Sequence, residues 1–106
     1  MCHCLACQRR TGSTFGAQAR FAEERVRIAG ASTPYARTGD GGGVITHHFC
    51  PTCGATVFYR IDSMPGLVAV PVGAFADPSF PPPMVSVYES RRHAWTGIPP
   101  EAEHMD

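Results

Sequence analysis

The chain reads as all-β, and two observations carry that reading. Short alternating segments recur at roughly ten-residue intervals with turn residues between them, the spacing of a small sandwich or barrel. Ten prolines and eleven glycines are spread through the sequence and leave few stretches long enough for a helix. The best helical pattern is a single turn at Phe21–Arg25 (FAEER).

The expected elements follow in order. Ser13–Phe21 (STFGAQARF) alternates Phe15, Ala17, Ala19 and Phe21 as a half-buried strand does. Arg25–Ala29 (RVRIA) alternates arginine with apolar residues and reads as another strand. Gly39–Gly43 (GDGGG) is a hairpin loop; no Lys-Ser/Thr and no helical pattern follows, which excludes a phosphate-binding loop. Val44–Phe49 (VITHHF) and Ala55–Ile61 (ATVFYRI) are strands on either side of a cysteine pair. Leu67–Val72 (LVAVPV) is an edge strand or ends at Pro71, which cannot donate to a ladder. Asp77–Pro83 (DPSFPPP) is a proline-stiffened loop, Val85–Tyr88 (VSVY) is the last strand, and the polar tail Pro99–Asp106 is expected to fray.

With 106 residues, 43% of them hydrophobic, the chain suits one domain spanning residues 1–106 with a small core that a covalent or metal staple would help. Nine basic residues, all arginine, balance nine acidic ones, so nothing resembles the basic stripe of a nucleic-acid binder. No apolar run approaches the ~18 residues of a membrane span, and no apolar stretch of a signal peptide stands behind the first residues. The expectation is a cytoplasmic protein with neither nucleic-acid nor membrane partners. In that compartment disulfides are disfavoured, and clustered cysteines point to a metal or to reactive thiols.

The cysteines are clustered. Cys2, Cys4 and Cys7 form C-x-C-x-x-C at the start, and Cys50 and Cys53 form C-P-T-C-G. Two residues between thiolates let a tight turn aim both sulfurs at one ion, and a following glycine, Gly54, can take positive φ. Two zinc arrangements fit. Cys4, Cys7, Cys50 and Cys53 can close a Cys₄ site across the long insert 8–49, leaving Cys2 spare. Alternatively, Cys2, Cys4 and Cys7 hold one zinc with an open position, as catalytic zinc requires. Cys50 and Cys53 then lack two ligands, and at most one of His47 and His48 can help, since strand alternation points them to opposite faces. A thioredoxin-like reading of Cys50–Cys53 fails for want of a βαβ pattern. His3 is expected to be exposed. Arg9 and Arg10 read as solvated surface or as a clamp for a carboxylate-bearing substrate. Trp95, the only tryptophan, reads as packing rather than as a substrate platform, and Arg91 and Arg92 as surface.

Four stretches together resemble a known family: CHCLACQRRTGSTFGAQARF, HHFCPTCGATVFYR, VPVGAFADPSF and the Arg91-x-x-x-Trp95 close. The chain is similar, from Cys2 to about Trp95, to the glutathione-dependent formaldehyde-activating enzymes, a family that also contains centromere protein V. The resemblance implies an all-β, tent-like zinc-binding fold and two zinc ions. The catalytic one would be held by Cys2, Cys4 and Cys7. Cys50 and Cys53 match half the ligands of the structural one, whose other two cysteines come in the family from an earlier C-x-C segment that this chain does not show. The last strand carries Ser86 where members often have histidine. The implied activity is carbon–sulfur lyase-type chemistry, glutathione adding to formaldehyde to give S-hydroxymethylglutathione, with a glutathione carboxylate anchored by Arg9 or Arg10. The rival reading is a structural zinc module that binds another protein, and a homodimer that shares cysteines is a further expectation.

Overall fold

Alternation of side chains along a strand decides what each face of a sheet buries, and the β-rich part of the chain follows that rule. The computed structural model describes all 106 residues. They pack as two compact units, Ala19–Ala76 and a second made of Met1–Gln18 with Asp77–Asp106. The structure is mostly β with one short α-helix. No helix is long and apolar enough to cross a membrane.

The 19–76 unit is built on a five-stranded sheet. β1 (Gln18–Ala22), β2 (Thr33–Thr38), β3 (Val44–Phe49), β4 (Thr56–Ile61) and β5 (Leu67–Pro71) take the order β1-β5-β4-β3-β2. The pairs β2–β3, β3–β4 and β4–β5 are antiparallel. In register, His47 faces Tyr59 and Tyr59 faces Ala69, so these three share one face, and all are buried. The other face carries Phe58 and Val68, also buried, Val68 completely. His48 stacks on Phe58 at 4.3 Å between ring centroids, and the Arg60 guanidinium lies 5.2 Å from the same ring. Arg60 also makes a forked ion pair with Glu23, at 2.7 Å for its shortest contact. Both partners are well exposed, so the pair orients the segment after β1 more than it stabilises the fold.

Several expectations hold. The 39–43 loop is the β2–β3 hairpin, closed by Gly39 N–H to Gly43 C=O at 2.8 Å. β3, β4 and the last strand (β6, Val85–Val87) stand where the alternation placed them, and β5 ends at Pro71. β5 is an interior strand, with proline tolerated because it is the terminal residue.

Others are corrected. Phe21–Arg25 is not a helical turn throughout: β1 runs to Ala22 and only Glu23–Arg25 forms a 3₁₀ turn. Arg25–Ala29 forms no strand; Val26 donates to the Glu23 carbonyl, closing the 3₁₀ turn. β2 was not foreseen because Pro34 and its polar neighbours mask it, and it survives because it is a sheet edge, where a missing N–H costs nothing. The tail does not simply fray. Glu103–Met105 forms β7, parallel to β6 with Ser86 opposite His104, and His104 Nδ1 lies 2.6 Å from Glu89 Oε1. That register needs a partner far away in the sequence, which a local reading of polar residues does not supply.

The second unit centres on Cys2. It pairs antiparallel with Gly16 and parallel with Val87, so the N-terminal residues form an inner strand beside β6. Cys2 N–H donates to Gly16 C=O at 2.8 Å and Gly16 N–H returns to Cys2 C=O at 2.9 Å. His3 N–H donates to Val87 C=O, and Val87 N–H to Met1 C=O. Gly16 is required here: a Cβ would come 3.3 Å from Cys7 Cβ and 3.0 Å from the Arg10 guanidinium. The helix, α1 (Leu5–Thr11), was missed because its sequence, LACQRRT, has no apolar periodicity. Its first turn is capped by the Cys4 sulfur and its end by Gly12.

Because Val68 is fully buried, Val68→Ala removes packing that the sheet cannot recover by relaxation. We expect a loss of about 2 kcal/mol, seen as a Tm lower by roughly 10 °C in a circular-dichroism melt.

Candidate metal centre

The spacing C-x-C-x-x-C becomes a site because the chain changes conformation inside it. Cys2 and Cys4 are two residues apart on extended chain and so share a side. Cys4 then becomes the N-cap of α1, and Cys7 comes round on the first turn, its N–H donating to Cys4 Sγ at 3.4 Å. The three sulfurs lie within 4.8 Å of one another. All three cysteines are buried and all are free thiols, packed against Ala6, Val87 and Tyr88. Three soft donors converging in a dry pocket form a group that can hold a metal ion.

The cluster polarises its own protons. Cys2 donates a hydrogen bond to the Cys7 sulfur, which, helped by Cys4 and by the charge and hydrogen bond of Arg10, holds the Cys7 thiol well below its usual value. The same bond, with burial, pushes Cys2 up. Arg10 lies three residues beyond Cys7, on the same helical face. Of the two expected arginines, Arg10 thus attends the sulfurs, while Arg9 is exposed on another side of the helix.

His3 is not exposed, as expected from the sequence, but completely buried. Alternation turns it away from Cys2 and Cys4, and its Nε2 meets the Ser86 hydroxyl at 3.0 Å. Burial lowers its pKa, so it is neutral at pH 7. Ser86, also fully buried, bonds in turn to Glu89, and this bond, with that from His104, holds the Glu89 carboxyl below its usual range. Tyr88 makes the turn possible by adopting a left-handed backbone, φ 57°, a strain of about 1 kcal/mol for a residue with a Cβ. The role of Ser86 could not be read from its sequence neighbours, because its partner lies 83 residues away.

Cys50 and Cys53 belong to the 19–76 unit. A register shift at His48/Phe49 bends β3 into their turn. Cys50 N–H donates to Ala55 C=O and Gly54 N–H to Cys50 C=O, both at 2.8 Å, with Gly54 at φ +78°. The main-chain N–H groups of Cys53 and Thr52 point at the Cys50 sulfur and lower its pKa. Cys50 is half-buried and Cys53 exposed, both free. Neither neighbouring histidine joins a cysteine cluster: His48 Nδ1 is bonded to Ser32 Oγ at 3.1 Å, and His47 is buried against the Tyr59 ring. Within the unit that holds them, Cys2, Cys4 and Cys7 form a group that could hold a metal ion.

Beside the cluster lies a groove of about 580 Å³. One wall is the end of α1, with Gln8 and Arg9, and the Ser13–Thr14 segment behind it; the other is His93 and Trp95. Trp95 is not packing material, as the sequence suggested, but 76% exposed. The walls are tied together. Gln8 Nε2 donates to the carbonyls of His3 and Arg91, at 2.9 and 3.1 Å, and Gln8 Oε1 meets His93 Nε2 at 2.9 Å. Thr96 donates its hydroxyl proton to Thr14 Oγ1 at 2.9 Å, and Arg92 gathers the carbonyls of His93, Ala94 and Thr96. Gln8, His93, Ser13 and Thr14 were not expected at a site; only the position of Gln8 directly after Cys7 hinted at it.

Fold and cluster together define a small, mostly β protein with a buried tri-cysteine centre that can take a metal. A family model places it further: residues 1–91 match that of the glutathione-dependent formaldehyde-activating enzymes, and the chain belongs to this family. Compared with curated protein sequences, it finds no match.

Ser86→Ala leaves His3 Nε2 buried without its partner and is expected to cost about 1–3 kcal/mol, read from urea unfolding at pH 7. It also frees Glu89 to titrate nearer the usual carboxyl pKa. A depressed carboxyl stabilises above its unfolded pKa, and that stability is lost as pH falls through the lower folded value. The variant should therefore begin acid unfolding at a higher pH than the wild type.

Proposed function

We propose that this protein is a zinc-dependent enzyme of carbon–sulfur lyase type that joins glutathione and formaldehyde as S-hydroxymethylglutathione. The observation that carries the reading is the convergence of Cys2, Cys4 and Cys7: three buried, reduced sulfurs within 4.8 Å of one another. A purely structural zinc site is usually closed by four protein ligands, so a set of three favours catalysis over the rival reading of a protein-binding module. Family membership agrees with the substrates.

The donor set fits zinc, since thiolates are its preferred ligands and impose no redox demand. Bound there, zinc would supply Lewis acidity and keep an incoming thiol ionised at neutral pH. The residues of the chain do the rest. Cys2, Cys4 and Cys7 hold the ion, and the low pKa of Cys7 prepares one thiolate in advance. Arg10 offsets the negative charge that accumulates on the sulfurs. The α1 first turn fixes Cys4 and Cys7 relative to each other through the Cys7 N–H. Burial excludes bulk water and strengthens each of these charges. In the overall reaction a sulfur–carbon bond forms, the carbonyl π bond opens, and the thiol proton ends on the former carbonyl oxygen; nothing is oxidised or reduced. Cys50 and Cys53 offer a second, two-sulfur metal position apart from this chemistry.

The test is the rate of S-hydroxymethylglutathione formation, followed by exchange NMR at equilibrium, where the spontaneous reaction is measured in the same tube. Zinc-loaded protein should accelerate exchange, and Cys7→Ala should return it to the uncatalysed rate. Acceleration absent from the zinc-loaded wild type, or retained in full by Cys7→Ala, overturns the reading.

A further inference from the structure

Cys50 and Cys53 take no part in the chemistry at the three buried sulfurs. They sit three residues apart in the turn between β3 and β4, within the 19–76 unit. Gly54 N–H closes this turn on Cys50 C=O at 2.8 Å, and Cys50 N–H meets Ala55 C=O at the same distance. Gly54 takes φ +78°, strained for any residue with a Cβ, and so returns the chain at once to β4. In such a turn the first and fourth Cα atoms come within about 7 Å, close to the span that a disulfide bridges. The two side chains are in contact. The Cys53 thiol donates to the Cys50 sulfur, and so do the main-chain N–H groups of Cys53 and Thr52 and the Thr52 hydroxyl. Several donors thus gather on one sulfur, where they support negative charge. Access separates this pair from the other cysteines. Cys2, Cys4 and Cys7 are buried, whereas Cys50 keeps part of its surface open and Cys53 is exposed.

We propose that Cys50 and Cys53 form a dithiol that exchanges with low-molecular-weight disulfides, a thiol–disulfide oxidoreductase activity separate from the thiol addition at Cys2, Cys4 and Cys7. Cys50 attacks one sulfur of the small disulfide. A bond forms between those two sulfurs, and the first small thiolate leaves. Cys53 then attacks the Cys50 sulfur; the Cys50–Cys53 bond forms and the second small thiolate leaves. The protons of the two cysteines end on the two released thiols. The protein pair is oxidised and the small disulfide reduced, by two electrons each. An excess of small thiol runs the same steps backwards and restores the dithiol. No thioredoxin-like fold is needed, because the turn by itself holds the second sulfur against the first and makes the resolving step intramolecular. Metal binding at the same two sulfurs excludes this exchange. Zinc seeks four ligands, and three converging sulfurs supply more of them than two, so a single zinc per chain leaves the pair open.

The probe is bis(2-hydroxyethyl) disulfide, small and neutral, and the protein is the wild type carrying a single zinc per chain. The reaction is quenched in acid, remaining thiols are alkylated, and the cysteines are mapped by mass. Cys50 and Cys53 should be joined to each other, Cys2, Cys4 and Cys7 should be recovered as thiols, and both halves of the probe should be released as 2-mercaptoethanol. Cys53→Ser should stop after the first step and keep a 2-hydroxyethylthio group on Cys50. Cys50→Ser should slow release of 2-mercaptoethanol at least about tenfold, with the melting curve of the wild type. The proposal is overturned if the wild type releases no 2-mercaptoethanol, if its new disulfide maps to Cys2, Cys4 or Cys7, or if Cys53→Ser carries no group on Cys50. The wild-type map decides even where a variant fails to fold. Neither result bears on the formaldehyde reaction, which Cys7→Ala tests separately.

Discussion

The chemistry of this protein depends on one backbone arrangement: Cys2 is hydrogen-bonded on both sides, to Gly16 and to the β6 strand through its neighbours. An extended chain held on two edges has no freedom to rotate, so Cys2 and Cys4 project to the same side and His3 to the other. Gly16 permits this by leaving room for Cys7 and Arg10. Once Cys4 caps α1, the position of Cys7 follows from the first helical turn. Three sulfurs that would otherwise repel as thiolates are thereby forced within reach of one ion, and their shared hydrogen bonds and Arg10 relieve part of that repulsion.

The opposite face of the same inner strand is polar and just as ordered. His3, Ser86, Glu89 and His104 form a chain of hydrogen bonds from the buried interior to the surface. The His104–Glu89 contact ties the segment 103–105, paired with β6, into this network, while His3 Nδ1 at its buried end has no hydrogen-bond partner. The network explains the left-handed Tyr88: the turn brings Glu89 back over Ser86. The cysteine cluster and this network share the strand that separates them, so the order of one is the order of the other.

The groove is a consequence of the same helix. Its buried side carries Cys7, and its solvent side carries Arg9. Gln8 lies between and ties the 91–93 segment to the cluster through three hydrogen bonds. A helix of seven residues with no apolar stripe is not stable alone; here it is held by a sulfur cap, a side-chain brace and the burial of one cysteine. The sulfur cluster and the groove thus share one helix.

Much was legible in the residues themselves. The β character, the strands around Val44–Phe49 and Ala55–Ile61, the glycine hairpin, and the clustering of the cysteines as candidate ligands all rest on local rules: alternation, turn chemistry and ligand spacing. The family could be recognised from its cysteine motifs for the same reason. What only the tertiary structure decided were features whose partners are distant in sequence. The buried place of His3 depends on Ser86, the strand at Glu103–Met105 depends on β6, and the exposure of Trp95 depends on a groove whose other wall is the N-terminal helix. Spacing says which sulfurs can reach an ion; which of them meet is decided by hydrogen bonds between segments, and these exist only once the chain has folded.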